Sequence, residues 1–579
     1  MTCARVGALA LLAIISLGPA SNAHAQEAPK RETFLFLVPG VSFEEMFGTP
    51  DVVSLSRAGG AGLMTLGGGL PTEGETGVIP GELSNVHFRW LDPATEGGLE
   101  AVAGTIRSTV EASNADRVLV VVASTIPSPE MWAANDELHP IVVAEGAPAD
   151  LFTDEGAQGS LTSDSTRRDG VVTDLDVVPT IAAFNGVEPP ADAAGAPIEI
   201  IEGPPPFELH ERYLAQRRLY VPIGTAAGIY VTLVGLAGVA ALALGRRVPE
   251  RPRRSVGWAC LSIAMLATSL LAAGHLPDLT YAAVVPFVAL VTVFGTLAFA
   301  PLERRDVLLV PAGIGIAVLA YLALEAALSW TAALTPFVGG SELDGGRFYG
   351  LPNAFIGLLI GACLWVGHRL RTSAGVALLV AAALFAGLPY LGSNLGGGVS
   401  LFAAAGLWLA VRERARLGVW KGIGVFVGFT LGGLALILVA HAVSPFETHV
   451  TRFEEQAGGL GGVFEKFGDR LQVGFDLIAR NPFALIPVVG LPLTIAAVLW
   501  PPGPLRPSLA RSPAWRDAIL VTLLAGVVAY VVNDSGPAAA GFAFGLGLGG
   551  LLGVSLLSEA GKMEAVSPSD DPEMAGLRP

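Results

Sequence analysis

Cysteine is nearly absent: Cys3, Cys260 and Cys363 are the only three in 579 residues. The first lies in a leader-like start and the other two in long apolar stretches, so no disulfide framework is expected. Charge is scarce too. Asp, Glu, Lys and Arg make up 15% of the chain, where soluble domains carry about 25%. That shortage excludes an ordinary soluble protein along the whole length. A basic excess is also missing, since the formal net charge is −16. Glu27–Arg218 holds 30 acidic and 11 basic side chains, a net of −19, which leaves the remainder mildly basic. An acidic soluble part argues against a nucleic-acid partner. What the chain has in abundance is apolar residues, at 52%, and 72 glycines.

Met1–Ala25 reads as a secretory signal peptide, with Arg5 as the positive end, Val6–Leu17 as the apolar core and Ala23-His24-Ala25 as the cleavage site. An uncleaved first membrane helix is the alternative, and both place Gln26 onward outside the cytoplasm. Residues 26–202 form an extracytoplasmic domain. Thr33–Val38, Arg117–Ala123 and Pro140–Val143 have the composition of buried strands. Val52–Ala58, Leu99–Ala112 and Asp176–Phe184 have helical spacing, which predicts an α/β sheet flanked by helices on both faces. The proline-rich Gly203–Phe207 marks a linker, 203–218.

From Leu219 to Leu557 the pattern changes to eleven apolar runs. A bilayer core of ~30 Å needs ~20 helical residues. An all-α domain of about eleven transmembrane helices is therefore expected. Alternate connections are arginine-rich: Arg246–Arg254, Arg304-Arg305, His368–Arg371, Arg412–Lys421 and Arg506–Arg516. By the positive-inside rule these face the cytoplasm, which puts the N-terminal domain outside and a polar tail, 558–579, inside. The expected location is the cytoplasmic (inner) membrane of a bacterium.

That topology sends four polar clusters to the outer face: Gly345–Asn353, Pro389–Gly398, Glu447–Phe453 leading into amphipathic Phe464–Arg480, and Asn533–Gly536. Glu325 lies inside an apolar run, about one turn from its outer end. Polar groups at membrane depth cost roughly 2.5–3.5 kcal/mol per charge and need a partner or a wet cavity. Arg347, Arg452 and His449 have the donors to hold an anionic group. Tyr349, Asn353, Asn394 and Asn533 complete a candidate substrate-binding set. Asp534, Glu325 and His449 are candidates for acid–base work. Blander readings stand beside these. The arginines can be interfacial anchors, the asparagines helix caps, His449 a solvated loop residue, and Glu325 a structurally paired carboxylate.

Three resemblances add to this. Ser163–Ile181, with Asp176-Val177-Val178-Pro179-Thr180-Ile181, resembles the alkaline phosphatase/sulfatase-like superfamily, as do Pro140–Val143 and Phe34–Gly40. The resemblance implies that fold. The catalytic metal ligands of the family are missing, because Pro39 stands at the position of an Asp and Ser124-Thr125 at that of an Asp-His pair. A degenerate, non-catalytic domain follows, with Thr65 as a nucleophile candidate that has no metal to activate it, structural His87 and His139, and no metal or other cofactor. The full arrangement resembles a group of bacterial envelope proteins with outer motifs like Gly346–Asn353 and Asn533–Gly536; Asn394 stands where they have an Asp. Arg347–Asn353, and Asp469–Phe475 with Asn481-Pro482-Phe483, are similar to stretches of the O-antigen ligase/polymerase superfamily. This last likeness implies a polyprenyl-phosphate-linked substrate and glycan transfer in a membrane-lipid setting. A transporter or flippase, and a non-catalytic assembly protein with envelope partners, remain alternative readings.

Overall fold

The computed structural model describes residues 29–66, 70, 85–134, 136–153, 156–190, 193, 195–203, 206–327, 337–338, 350–389, 391–444, 485–533 and 536–564. The expected signal peptide, residues 1–25, and most of the expected tail fall outside these residues.

Eight strands form one mixed sheet: β1 (Arg31–Leu37), β2 (Gly60–Thr65), β3 (Val86–Trp90), β4 (Arg117–Ala123), β5 (His139–Gly146), β6 (Gly159–Ser163), β7 (Val171–Thr173) and β8 (Ile198–Ile201). Their order is β3-β1-β4-β5-β2-β6-β8, with β7 paired to β2. β1 runs parallel to both β3 and β4, whereas β5 is antiparallel to β4 and β2. Six short helices accompany the strands: α1 (Phe43–Phe47), α2 (Pro50–Ala58), α3 (Pro93–Glu96), α4 (Leu99–Glu111), α5 (Pro129–Ala134) and α6 (Val177–Asn185).

Alternation along the strands builds two core layers. Phe34, Phe36, Val118, Val120 and Val122 pack on one face with Val52 and Leu55 of α2 and Val102 and Ile106 of α4. Leu35, Leu37, Leu119 and Val121 pack on the other with Val177, Ile181 and Phe184 of α6. Helices therefore cover both faces, as the sequence predicts. β2, reading Gly-Ala-Gly-Leu-Met-Thr, has the composition of a turn and yet is buried throughout. A Cβ on neighbouring Gly59 would lie 2.2 Å from the Val143 carbonyl, so close strand approach takes the place of side-chain packing there.

The remaining helices are α7 (Pro206–Leu244), α8 (Glu250–Ala272), α9 (Tyr281–Leu297), α10 (Ala300–Glu303), α11 (Leu309–Ala327), α12 (Asn353–Gly367), α13 (Thr372–Gly387), α14 (Leu395–Arg412), α15 (Arg414–Ala442), α16 (Leu485–Leu499), α17 (Arg506–Arg511), α18 (Pro513–Val532) and α19 (Gly536–Glu564). Among the described residues seven helices, not eleven, are long and apolar enough to cross a bilayer. This is the pattern of a multi-pass membrane protein. The other four apolar helices, within α11, α12, α13 and α16, have 10–17 residues. At ~1.5 Å per residue α12 and α13 fall short of a ~30 Å hydrocarbon core. Their runs are cut by Pro352 before α12 and by the break that follows Gly387, whereas α11 and α16 each adjoin residues outside the described set. Length matters least for α12, whose residues from Asn353 to Trp365 are all buried among other helices.

From Pro206 on, the expected linker is part of α7, which runs unbroken from the sheet domain into the apolar bundle. Its first turns are anchored. Tyr213 packs with Phe43, Leu63, Leu138 and Val171. His210 Nε2 lies 2.7 Å from Asp136 Oδ2, both side chains are buried, and the imidazole stacks on Phe43 at 4.8 Å. Arg217 pairs with Glu137 at 3.0 Å. Removing one partner of a buried pair typically costs about 3–5 kcal/mol. Asp136→Ala is therefore expected to loosen the sheet domain from α7, while Asp136→Asn keeps a hydrogen bond and loses less. Limited proteolysis of the solubilised full-length protein checks this. D136A should be cut between the two regions several-fold faster than wild type, and D136N near the wild-type rate.

Ion pairs gather at one end of the bundle. Arg254 meets Glu303 at 2.9 Å, Arg369 meets Asp306 at 2.8 Å, and Asp517 receives Arg414 at 2.9 Å and Arg412 at 3.4 Å. Arg253, fully buried, donates to the carbonyls of Gly245 and Val248 where α7 ends. These links tie the arginine-rich connections into a single layer. The opposite end of the bundle, nearer the sheet domain, is held by different chemistry.

Candidate functional site

At that opposite end three asparagines from distant stretches meet. Asn394 is the N-cap of α14: its Oδ1 accepts from Gly397 N at 2.7 Å. Its Nδ2 donates to the Leu351 carbonyl at 2.7 Å and to Asn353 Oδ1 at 2.8 Å. One amide thus caps one helix and grips the start of another. The backbone around it folds back tightly, with Asn394 N donating to Ala386 O and Leu351 N to Gly392 O. Gly350 has φ +94°, and a Cβ there would lie 2.3 Å from Gly392 O. Ser393 adopts φ +43°, and its Oγ is buried without a hydrogen-bond partner among the described residues.

Asn533 closes the far side. Its Nδ2 donates to Ala529 O at 2.8 Å and to Ser400 Oγ at 3.2 Å, so it both ends α18 and touches α14. Its Oδ1 is buried and has no donor among the described residues. A Cβ at Gly396 would lie 2.5 Å from that oxygen. Next to this node α12 meets α19, because a Cβ at Gly357 would lie 2.0 Å from Ala539 O. The N-terminal ends of α12, α14 and α19 therefore converge, each with the partial positive charge of a helix start, which the Asn394 cap partly satisfies at α14.

Glu325 forms a second cluster. Its Oε1 accepts from Tyr321 Oη at 2.5 Å and lies 2.5 Å from His275 Nε2. Gly315 of α11 sits opposite Ala362 of α12. Ten residues along each antiparallel helix bring Glu325 to the depth of residue 352, the level of Asn353. Arg212 of α7 reaches the carbonyls of Gly274, Leu276 and Pro277 beside His275, which ties this layer to the base of the sheet domain.

Of the nine candidate residues, the structure brings Asn353, Asn394 and Asn533 together and puts Glu325 at their depth. Arg347, Tyr349, His449, Arg452 and Asp534 lie outside the described residues, as does the amphipathic stretch 464–480. His275, Tyr321, Ser393 and Ser400 belong to these clusters and were missed from sequence. Tyr321 stands four residues before Glu325, a helical spacing that signals contact; Ser393 lies within the polar cluster Pro389–Gly398, and nothing in the local sequence singles out His275 or Ser400.

In the sheet domain β1 and β4 end side by side, Leu37 opposite Ala123. Beyond them Gly40 N donates to Ile126 O, and Ser124 Oγ donates to Val41 O. Thr65 is buried at the end of β2, opposite Thr173. Among the described residues no group of three or more His, Cys, Asp or Glu is placed to hold a metal. Burial pushes the His139 imidazole down to about 4, so it stays neutral inside the fold. Burial pushes the Asp176 carboxyl up, against hydrogen bonds from Ser163 Oγ and the Thr173 amide that favour its charge. His87 stacks on Phe34 at 4.9 Å. No family model, curated protein or solved structure matches this chain.

Proposed function

We propose that this is a cell-envelope protein of the cytoplasmic membrane, with its sheet domain outside, whose outward polar site handles an anionic, lipid-linked substrate and transfers a glycan from it. The observation that carries this reading is the asparagine node, where three helix N-termini and three buried amides from distant stretches meet at one end of the bundle. Tyr349 and Arg347 precede Gly350 by one and three residues in sequence, and Asp534 follows Asn533 directly, which is why cationic and acidic groups are assigned to this site in the proposal. In this scheme Arg347, Arg452 and His449 bind the phosphate side, and Asp534 or Glu325 assists proton transfer. Expulsion of a phosphate leaving group needs charge stabilisation more than a covalent nucleophile. The sheet domain serves as a degenerate phosphatase-like module, which fits Pro39, Ser124 and Thr125 at the ends of β1 and β4.

Arg347→Ala tests the reading. Lipid-linked glycan precursors should accumulate, and mature envelope glycan should fall at least tenfold, with protein abundance unchanged. Normal glycan and precursor levels would sink it. The short helices that start within the bundle also suit a transporter. A site that cysteine labelling reaches from both sides of the membrane would favour that reading instead.

A further inference from the structure

The arginine end of the bundle carries a groove that none of the preceding chemistry uses. It has a volume of about 740 Å³, within the range of about 300–1,000 Å³ typical of small-molecule sites. Its walls come from the end of α14, the first turns of α15 and the start of α18, with Leu407, Val411, Ile423, Phe426 and Leu520 supplying an apolar lining. Its polar groups are confined to Arg414, Arg516 and Asp517. Arg414 is more than half exposed although it pairs with Asp517. Arg516 is fixed by the carbonyls of Val498 and Leu499. Arg412 shares the same Asp517, and Arg416 and Lys421 follow within seven residues of Arg414. Among the described residues, Asp517 and Glu413, the partner of Arg416, stand against these cations. Two aromatic side chains give the depth: Trp420, 84% exposed on α15, and Trp500, 76% exposed just beyond α16. Exposed tryptophan beside arginine marks the headgroup level of a bilayer.

We infer that this groove is a binding site for an anionic phospholipid, with its phosphate between Arg414 and Arg516 and an acyl chain laid along Val411, Ile423 and Phe426. A basic pocket between transmembrane helices on the cytoplasmic side is the expected receptor for such a headgroup. Guanidinium groups give it preference over a zwitterionic lipid, whose own cation would meet Arg414. The break in α15 at Gly418, with φ +67°, opens the groove by turning the first residues of α15 off the line of the rest of the helix. The inference rests on the membrane-spanning part of the proposed function and is independent of the glycan chemistry at the other end.

The test uses the full-length protein in neutral detergent, titrated with dioleoyl phosphatidylglycerol, dioleoyl phosphatidylcholine or glycerol 3-phosphate and read by native mass spectrometry and thermal unfolding. Wild type should retain about one phosphatidylglycerol, with a rise in unfolding temperature that phosphatidylcholine and glycerol 3-phosphate do not produce. Arg414→Gln and, separately, Gly422→Leu, which fills the groove where the nearest neighbouring atom is Ala410 Cβ, should each weaken retention at least tenfold. Equal retention of the two lipids, an equal shift with glycerol 3-phosphate, or variants that hold phosphatidylglycerol like wild type would each overturn the assignment. Recovery of the chain as a stable protein without detergent would instead remove the membrane reading beneath it.

Discussion

Gly357→Ala should leave little or no stably assembled protein. The added methyl would lie 2.0 Å from Ala539 O, 2.6 Å from Ala543 N and 2.9 Å from Phe542 Cβ. The two nearest atoms are backbone, so α19 as a whole must move away from α12. Overpacking that side chains can absorb costs about 1–3 kcal/mol, and a contact with rigid backbone belongs at or above the top of that range. The intrinsic helix preference for alanine, about 1 kcal/mol, acts in the opposite direction and loses. Gly424→Ala and Gly428→Ala are the internal controls, since nothing lies within 4 Å of either Cβ. They should be neutral or slightly stabilising. Thermal unfolding and size-exclusion profiles of the solubilised variants decide it. A G357A protein as stable as the controls would mean that α12 and α19 are not packed as described.

Asn394→Ala should be nearly as severe. It removes the cap of α14, worth about 1 kcal/mol. It also takes a donor from Leu351 O and from Asn353 Oδ1, and an acceptor from Gly397 N, where each lost buried bond costs about 1–3 kcal/mol. A total on the order of 3–5 kcal/mol is expected, read as a large drop in unfolding temperature. Asn394→Asp separates the two roles. It keeps an acceptor for Gly397 N but has no donor for Leu351 or Asn353, and it faces two oxygens. An N394D protein with wild-type stability would show that capping is all this residue does; a loss close to that of alanine would show that the bridge between α12 and α14 dominates.

Long or strictly alternating stretches were legible in the sequence. β1, β4, α2 and α4 lie within a residue or two of their expected bounds, because alternating Phe, Leu and Val leave a strand no other way to bury both faces. β2, β6 and β7 were not legible. Glycine at positions 59, 60, 62 and 159 carries no hydrophobic signal, and its role there is close approach, which exists only once the partner strand is in place. The apolar runs after Leu219 marked helices correctly. Their lengths did not translate into spans, because a helix such as α12 is surrounded by protein and is not matched to lipid. The candidate site shows the same division. Asn353, Asn394 and Asn533 stood out as amides in apolar surroundings, and they do converge. His275 and Ser400 did not stand out, because a single His or Ser at a helix end has many ordinary uses and only the fold brings it to a partner.

The continuity of α7 has a mechanical consequence. A helix that begins against Phe43 and ends at Leu244 converts any twist of the soluble module into rotation of a transmembrane rod, with about 100° of angular phase per residue. The single missing rung, at Pro222, sits one turn below Arg218. Torque applied above it reaches the loop at Gly274–Pro277 through Arg212 before it meets that weak point. The sheet domain and the layer containing His275 and Glu325 are therefore geared together, and the lower part of the rod is partly uncoupled from both.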